Sequence, residues 1–298
     1  MACGTPRQGP VSGPHGHVVA LVQVENSAGS DPHSGLQKAD VVYEYLAEGG
    51  ITRFTVVYYD PTRVGRVGPV RSIRPVALTL RDAYGGVLFF SGGSQELMDK
   101  VRSQHVPAVS EQNQGAGHFQ RDGTRPAPHN LFTTGGDISA AMQGVPGTAL
   151  YSPPAIGSPP ASGGPATSLT FQQTAAHSVS YTYSEADHAY AYSSERGPLV
   201  DLTNMGRAIE VTNVVLLEAP HRDYGYTDVL GAPVVDFDLS GGGQAVVLSG
   251  GRVYLGRWQP ASPGSPPALR MANGGDLSLP AGLTWIHIVD PGMAYQAR

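Results

Sequence analysis

The sequence has a single cysteine, Cys3, and no uninterrupted run of 18 apolar residues. One cysteine cannot form an intrachain disulfide or a multi-cysteine metal site, and a transmembrane helix needs a longer apolar run than any present. Charge is also scarce, because 14% of the 298 residues are charged and the net charge is −5. Nucleic-acid surfaces need a clear basic excess, so the composition predicts no nucleic-acid partner.

Four signatures of catalysis or cofactor binding are missing as well. The sequence has no Gly-x-Ser-x-Gly elbow, no His-Glu-x-x-His helix, no dinucleotide-binding fingerprint and no Cys–His pair. Its ten histidines are scattered along the chain. An α/β-hydrolase triad and a zinc protease therefore have no support, no metal site is predicted, and the cofactor stays unknown.

Glycine and proline are abundant, with 39 and 25 residues, which favours turns and short strands. Strand and helix patterns alternate over residues 17–150, and short strands separated by Gly, Ser and Pro occupy residues 169–298. Residues 151–168 form a Pro/Gly/Ser-rich linker, and residues 1–16 a flexible tether. The predicted class is α+β, with a mixed α/β-layer N-terminal domain and a smaller antiparallel β C-terminal domain.

Two helices are predicted in the N-terminal half. One begins at Pro75, because proline suits the first helical position, and ends before Gly85. The other spans 95–104, with Ser94 as its N-cap.

A hairpin is predicted between strands 41–47 and 52–59, with Gly49-Gly50 as a two-residue turn. If Glu48 pairs with Ile51, period-two alternation places three charged side chains on one face: Glu44, Glu48 and Arg53. Such a trio is either a buried structural ion pair or the acidic half of a site, with Glu44 or Glu48 as a catalytic candidate. If the trio is buried, Arg53→Ala should cost on the order of 3–5 kcal/mol.

Three arginines, Arg66, Arg71 and Arg74, lie on the loop before the helix at Pro75. A helix N-terminus presents free N–H groups, and arginine grips phosphate or carboxylate with a planar fork. The pattern therefore predicts an anion site. The alternative is that the arginines pair with the hairpin acids and lock the loop.

Two further segments carry binding candidates. In Ser91-Gly-Gly-Ser94, a glycine turn joins a strand to a helix, an arrangement that binds anions through backbone amides. Residues 117–130 crowd polar side chains among prolines, and four of them are ligand-binding candidates: Arg121, Arg125, His129 and Asn130. His129 is also a candidate general base. Alternatively, His129 and Asn130 bond only to local backbone groups.

Several of these runs resemble the YerB-like family of bacterial envelope lipoproteins. The resemblance rests on Asp40-Val-Val-Tyr-Glu44, Glu48-Gly-Gly-Ile-Thr-Arg-Phe54, Gly68-Pro-Val-Arg-Ser-Ile-Arg-Pro75, Pro128-His-Asn-Leu-Phe132 and Thr284-Trp-Ile-His-Ile288. One departure is Glu25-Asn26, where the family usually has an Asp-Asn pair. The resemblance implies a two-domain exported protein without a settled activity.

Cys3 follows a small residue and precedes glycine, as a lipidated cysteine does; the alternative is a free N-terminal thiol. With the resemblance, this predicts an extracytoplasmic protein that meets the membrane only through a lipid anchor. The predicted function is binding or scaffolding, with an anionic small molecule or a cell-wall fragment as the ligand and a protein partner left open.

The alternative function is a phosphotransferase or hydrolase that acts on a cell-envelope glycopolymer. The order of elements is similar to that of the LytR-CpsA-Psr phosphotransferases, although their sequence motif is absent. This function requires the 44–48 hairpin, the 66–74 loop and the 117–130 segment to open into one cleft.

Overall fold

The structure is a computed structural model, and it describes residues 17–298 except 114, 152–155 and 229–230. In the N-terminal half it has the strands β1 (Ala20–Asn26), β2 (Val41–Leu46), β3 (Thr52–Tyr58), β4 (Arg66–Val67), β5 (Val87–Phe90), β6 (Ala108–Ser110), β7 (Gln120–Arg121) and β8 (Leu131–Thr134). The helices are α1 (Pro75–Tyr84), α2 (Gln95–Ser103) and α3 (Gly135–Met142).

The C-terminal half is described as strands and short turns. Its strands are β9 (Gly164–Pro165), β10 (Ser168–Thr174), β11 (His177–Ser184), β12 (Ala189–Ser194), β13 (Gly197–Pro198), β14 (Val200–Asp201), β15 (Arg207–Ala208), β16 (Glu210–Val211), β17 (Asn213–Glu218), β18 (His221–Thr227), β19 (Pro233–Phe237), β20 (Gly243–Ser249), β21 (Arg252–Pro260), β22 (Pro267–Met271), β23 (Thr284–Val289) and β24 (Tyr295–Ala297).

One large sheet joins the two halves of the chain. Its order is β22-β21-β20-β17-β23-β2-β3-β1-β5-β6, with β9 also pairing with β21. Strand β23 lies between β17 and β2 and is parallel to both. Five of the six residues of β23 are buried, in a continuous run from Trp285 to Val289, which is typical of a central strand covered on both faces.

The prediction of an α+β protein rich in strands agrees broadly with this structure, but the prediction of a separate antiparallel C-terminal domain is correct only in part. An antiparallel sheet, β13-β12-β11-β10-β24 with β16 beside β12, does form in the C-terminal half. Strands β17, β20, β21, β22 and β23 instead extend the N-terminal sheet, while β18 and β19 form a separate hairpin. The boundaries placed at 150 and 168 stay a prediction.

The two faces of the large sheet are covered differently. The antiparallel sheet packs on one face, where Phe54 and Trp285 meet Tyr181 and Tyr192 in a buried apolar cluster. Helices α1 and α2 and the β18–β19 hairpin pack on the other face. We call these the antiparallel-sheet face and the helix face.

The β2–β3 hairpin has a different register from the predicted one. Gly49 and Gly50 both have positive φ, at 62° and 79°, and the Ile51 N–H bonds to the Glu48 carbonyl, so the two-residue glycine turn is confirmed. However, the Ala47 N–H also bonds to Ile51, which leaves Glu48 as an extra residue of the kind found in a β-bulge.

This bulge shifts the pairing by one residue, so that Glu44 lies opposite Phe54 and Tyr45 lies opposite Arg53. The expectation that Glu44, Glu48 and Arg53 share one face is therefore wrong. Glu44 points to the antiparallel-sheet face with Phe54, whereas Arg53 points to the helix face with Tyr45.

Both predicted helices are confirmed near their expected ends. Helix α1 begins at Pro75 and is capped by Gly85 in the left-handed region, and the Ser94 hydroxyl accepts a hydrogen bond from the Leu97 N–H at 3.3 Å. Among the residues described, no helix is long and apolar enough to cross a membrane.

Candidate functional site

The 68–73 segment replaces β5 as the neighbour of β1 at the carboxyl end of that strand. The Glu25 N–H bonds to the Pro69 carbonyl at 2.9 Å, and the Arg71 N–H bonds to the Gln23 carbonyl at 2.9 Å. The Ser91 N–H, just beyond β5, donates to the Arg71 carbonyl at 3.0 Å. Arg71 therefore enters at the carboxyl ends of two parallel strands, where open α/β sheets bind ligands.

Charged side chains gather around this point on the helix face. We call them the arginine cluster: Glu25, Glu48, Arg53, Arg71, Arg74 and His129. Arg53 lies between Glu25 on β1 and Tyr45 on β2 in the strand register. The cluster thus joins the hairpin, the arginine loop and the 117–130 segment.

Arg53 is the innermost cation of the cluster and is 1% exposed. Within the described part of the chain it donates no hydrogen bond, and its Nε and Nη1 atoms are buried without a partner. Its ion-pair contact is a distant one, 3.8 Å from Nη2 to Glu48 Oε1. Burial, together with the nearby charge of Arg71, lowers the pKa of Arg53 to about 10, so the group stays positive at neutral pH.

Arg71 is more exposed than Arg53, with 28% of its side chain accessible to solvent. Its Nε atom is 3.5 Å from Glu25 Oε1, and its guanidinium makes no hydrogen bond to the residues that the structure describes. Arg71 therefore keeps its donors free for an external acceptor.

Arg74 is instead held by the protein. Its Nε and Nη2 atoms donate to the two carboxylate oxygens of Glu48, and its Nη1 donates to the carbonyls of Ser72 and Ile73 at 3.2 and 2.9 Å. This bidentate pair fixes the loop to the hairpin, as the alternative interpretation of the arginine loop expected.

Arg66 has different partners from Arg71 and Arg74. It donates to Asp122 Oδ2 at 2.6 Å, and its guanidinium lies 3.5 Å from the centre of the Phe132 ring. The three arginines of the loop therefore have three different partners and do not converge on a single point.

Arg121 and Arg125, the arginines of the 117–130 segment, are also occupied by the protein. Arg121 donates to both oxygens of Glu111, at 2.8 and 2.6 Å, and to Asn130 Oδ1 at 2.8 Å. Arg125 donates to backbone carbonyls of residues 29–32, including that of Ser30 at 2.7 Å. These contacts fold the segment onto itself and onto the loop after β1.

His129 links this segment to the cluster through Glu25, which is 2% exposed. The His129 Nδ1 atom is 2.9 Å from Glu25 Oε2, and the Ser27 hydroxyl donates to Glu25 Oε1 at 2.9 Å. Burial opposes ionisation of Glu25, but the charge of Arg71 and the hydrogen bond with His129 outweigh it and lower its pKa. The ring lies on Gly29, where a Cβ atom would be 2.7 Å from it.

The glycine turn between β5 and α2 borders the cluster. Ser91 contacts the Arg71 backbone, as described above, while the Ser94 hydroxyl is used in capping α2. A ligand-binding role for Ser91 and Ser94 stays a prediction.

Glu44 belongs to a separate buried network on the antiparallel-sheet face. It accepts hydrogen bonds from five side chains, which with it form the Glu44 cluster: Asn26 at 3.1 Å, Thr52 at 2.9 Å, His177 at 2.8 Å, Tyr192 at 3.2 Å and Trp285 at 3.0 Å. The carboxylate is 0% exposed. A catalytic role for Glu44 at the arginine cluster therefore has no geometric support, and Glu48 is saturated by Arg74.

Histidines on the C-terminal strands set the charge of the Glu44 cluster. Burial opposes ionisation of Glu44, but the charge and hydrogen bonds of its histidine and tryptophan partners lower its pKa to about 2. Burial also opposes protonation of His177, yet Glu44 on one ring nitrogen and Glu195 on the other raise its pKa. Burial lowers the pKa of His287 to about 4; its ring nitrogens contact Tyr181 and Gln173 at 2.8 and 2.7 Å.

Glu25 and Arg53 are members of the cluster that sequence reasoning did not place at the site. A usable signal for Glu25 was present, because it is the only charged residue of a largely apolar strand, Ala20–Asn26. Arg53 was missed because the predicted register placed its side chain on the same face of the hairpin as Glu44.

Comparison with known proteins gives consistent matches along the chain. Residues 5–147 match the N-terminal domain, and residues 167–286 the C-terminal domain, of the family described as protein of unknown function DUF3048. YerB of Bacillus subtilis, whose name provisionally describes it as a lipoprotein, is 28% identical over 277 residues, covering 91% of this chain and 80% of that relative. The crystal structure of the Bacillus subtilis YerB protein superposes with a TM-score of 0.81 at 26% identity, covering 95% of this chain and 94% of the other.

Proposed function

This chain belongs to the two-domain DUF3048 family that its resemblance to YerB-like proteins predicts, and we propose that it is an exported lipoprotein that binds an anionic group at Arg71. The ligand class is phosphate or carboxylate, presented by a small molecule or a cell-wall fragment. The large sheet that both halves build supplies the rigid support of the site.

The observation that carries this proposal is that the Arg71 guanidinium has free hydrogen-bond donors and lies next to Arg53, whose donors are also without acceptors in the described part of the chain. The other predicted arginines of the site donate to protein acceptors: Arg66, Arg74, Arg121 and Arg125. Arg71 is partly exposed and has a single ion-pair contact, at 3.5 Å, within the described residues. A partly exposed arginine whose donors are free suits a carboxylate or phosphate ligand.

Anchoring through Cys3 is the second part of the proposal. Cys3 lies outside the described residues, so the support comes from its sequence context and from the name of the related YerB protein. Expression of the chain behind a native lipoprotein signal, followed by mass spectrometry of the membrane fraction, should show a lipid-modified Cys3. Recovery of the unmodified chain from the medium would contradict the anchor.

Calorimetric titration tests anion binding directly. Phosphate, pyrophosphate and cell-wall fragments are titrated into the full chain at low and moderate salt, and binding should weaken as salt rises. Arg71→Ala should reduce the affinity about tenfold or more, since a charge-assisted hydrogen bond is lost. Arg102→Ala is the matched control, because Arg102 is 59% exposed on α2 and pairs with Asp99.

The absence of heat with every ligand at millimolar concentration would contradict the proposal. An equal affinity in Arg71→Ala and wild type would place any binding elsewhere on the protein.

A second candidate function is supported by the contact between His129 and Glu25. The arginine loop is linked to the hairpin by Arg74 and Glu48, and to the 117–130 segment by Arg71, Glu25 and His129. A phosphotransferase or hydrolase acting on an envelope glycopolymer would need the three segments also to open into one cleft. In this function Arg71 stabilises developing phosphate charge and His129 is the general base. Release of phosphate from isolated glycopolymer by wild type, and its loss in both His129→Gln and Arg71→Ala, would favour catalysis over binding.

A further inference from the structure

The arginine cluster holds more positive than negative charge at its centre. Arg74 and Glu48 neutralise each other through a bidentate pair. Arg53 and Arg71 then share one further carboxylate, that of Glu25, which is 3.5 Å from Arg71 and lies opposite Arg53 in the strand register. Arg53 is also 3.8 Å from Glu48, so three guanidinium groups share two carboxylates in direct contact. With His129 counted as neutral, this leaves one positive charge without a counter-charge, and an unbalanced charge is costly in a buried place.

Arg53 also lacks acceptors. Its Nε and Nη1 atoms are buried and unpartnered, although its side chain is 1% exposed. Buried polar groups are nearly always hydrogen-bonded in folded proteins, and a charged donor is the most costly to leave unsatisfied. The missing acceptor is therefore expected from outside the polypeptide.

Arg71 is the partly exposed neighbour of the buried Arg53. The Arg71 side chain lies at the surface and forms no hydrogen bond with the described residues, so it can turn outward without breaking one. Its backbone is held on both sides, by Gln23 and Ser91, so the loop itself keeps its place.

We propose that the ligand presents a group with a single negative charge, a carboxylate or a phosphodiester, that binds between Arg53 and Arg71. This inference rests on the anion-binding function proposed above and adds the charge of the ligand. A monoanion balances the excess positive charge, whereas a dianion adds repulsion against the buried carboxylate of Glu25. A phosphodiester and a carboxylate share two acceptor oxygens and one charge, so the choice between them is left to titration.

Wild-type protein tests the charge preference without any substitution. Methyl phosphate is a monoanion near pH 5 and a dianion near pH 8, because the second pKa of a phosphate monoester is about 6. Dimethyl phosphate keeps one charge at both pH values and reports any change in the protein itself. We expect methyl phosphate, relative to dimethyl phosphate, to bind about tenfold more tightly at the lower pH, since like-charge contacts are costly.

Acetate and dimethyl phosphate, compared at one pH, distinguish a carboxylate ligand from a phosphodiester ligand. The anion that binds with the higher affinity identifies the class of ligand. Equal affinity for both would mean that the site reads charge alone, which also agrees with the inference.

Arg53→Lys tests the inner half of the site while keeping its charge. This variant should weaken both monoanions about tenfold, since an ammonium group lacks the planar fork, and circular dichroism should show an unchanged fold. Arg71→Ala measures the proposed function itself, so the two substitutions report on different claims.

Three results would overturn the inference. A dianion that binds more tightly than the monoanions, or an affinity unchanged in folded Arg53→Lys, would leave anion binding at Arg71 intact and remove the inner site. Ordered water on Arg53 in a crystal grown with dimethyl phosphate bound at Arg71 would do the same. The absence of binding by every anion would overturn the proposed function together with this inference.

Discussion

Two buried charged groups on neighbouring strands of one hairpin have opposite surroundings. Glu44 on the antiparallel-sheet face accepts hydrogen bonds from five side chains. Arg53 on the helix face donates none to the described residues, and two of its nitrogens are buried without a partner. Both side chains are almost fully buried, so the difference lies in how completely the protein satisfies each charge.

This difference separates a structural network from a binding site. A buried charge that is fully hydrogen-bonded specifies one packing arrangement and is destabilising to disturb. A buried charge that the protein leaves unsatisfied weakens the fold, and such groups are characteristic of places that bind a ligand. The Glu44 cluster therefore holds the two halves together, and the arginine cluster is where a ligand is expected.

The largest expected effect is that of Glu44→Ala. The substitution removes the buried acceptor for five donors, the His177 ring among them, and breaking such a buried network costs on the order of 3–5 kcal/mol of unfolding free energy. Urea unfolding measures this loss. Glu185→Ala, at an exposed turn position, should change stability by less than about 0.5 kcal/mol, and an equally small effect of Glu44→Ala would show that the two clusters do not differ.

A pH series tests the charge of the Glu44 cluster. Folding raises the pKa of His177 above its usual 6.5, so its stabilising contribution is complete below that pH and is lost as pH rises through the raised value. The stability of wild type relative to His177→Gln should fall from about pH 6 upward, with a slope no steeper than about 1.4 kcal/mol per pH unit, the limit for one proton. His188→Gln, in an exposed turn, should keep the wild-type slope.

The contribution of Glu44 to stability changes with pH in the opposite direction. Its pKa is lowered from 4.5 to about 2, so its contribution is present above pH 4.5 and is lost as pH falls through the lowered value. Greatest stability from this cluster is thus expected between about pH 5 and 6.5. A relative stability of wild type and His177→Gln that does not change with pH would contradict the raised pKa of His177.

The smallest expected effect on stability is that of Arg53→Met. Glu25 keeps Arg71 and His129, and Glu48 keeps Arg74, so removing the guanidinium leaves no carboxylate without a partner. A similar-sized apolar side chain in place of an unsatisfied charge should change the unfolding free energy by less than about 1 kcal/mol, in either direction. Anion binding should fall sharply in the same variant.

This expectation replaces the loss of 3–5 kcal/mol that the sequence register implied for Arg53→Ala. That value assumed a trio with Glu44 and Glu48 on one face, which the structure does not contain. If urea unfolding of Arg53→Met nevertheless shows a loss above about 3 kcal/mol, Arg53 supports the fold as Glu44 does, and the contrast between the clusters is lost.

The ends of the helices and the hairpin turn could be predicted from the sequence, because the residues at each end or turn determine them. Pro75 and Gly85 mark the ends of α1, Ser94 marks the start of α2, and Gly49-Gly50 marks the turn. Register was not predictable, because a bulge at Glu48 depends on how the whole strand packs, and one residue of shift reverses every side chain.

Long-range partners were equally out of reach. His177 and Trp285 lie 133 and 241 positions from Glu44, and no periodicity in a single sequence links such positions. The arginine loop was identified by composition, but which of its arginines stays free depends on acids from other elements: Glu48, Glu25 and Asp122.

The position of β23 has a consequence for the order in which the molecule can fold. Val41 on β2 pairs with Thr284 on β23, so the edge of the β2–β3 hairpin stays open until nearly the whole chain has been made. Closing so large a loop is slow, and an open edge in the meantime invites association with other chains. The N-terminal half alone should therefore aggregate, and the large sheet of the nascent chain should close only after its C-terminal strands have been made.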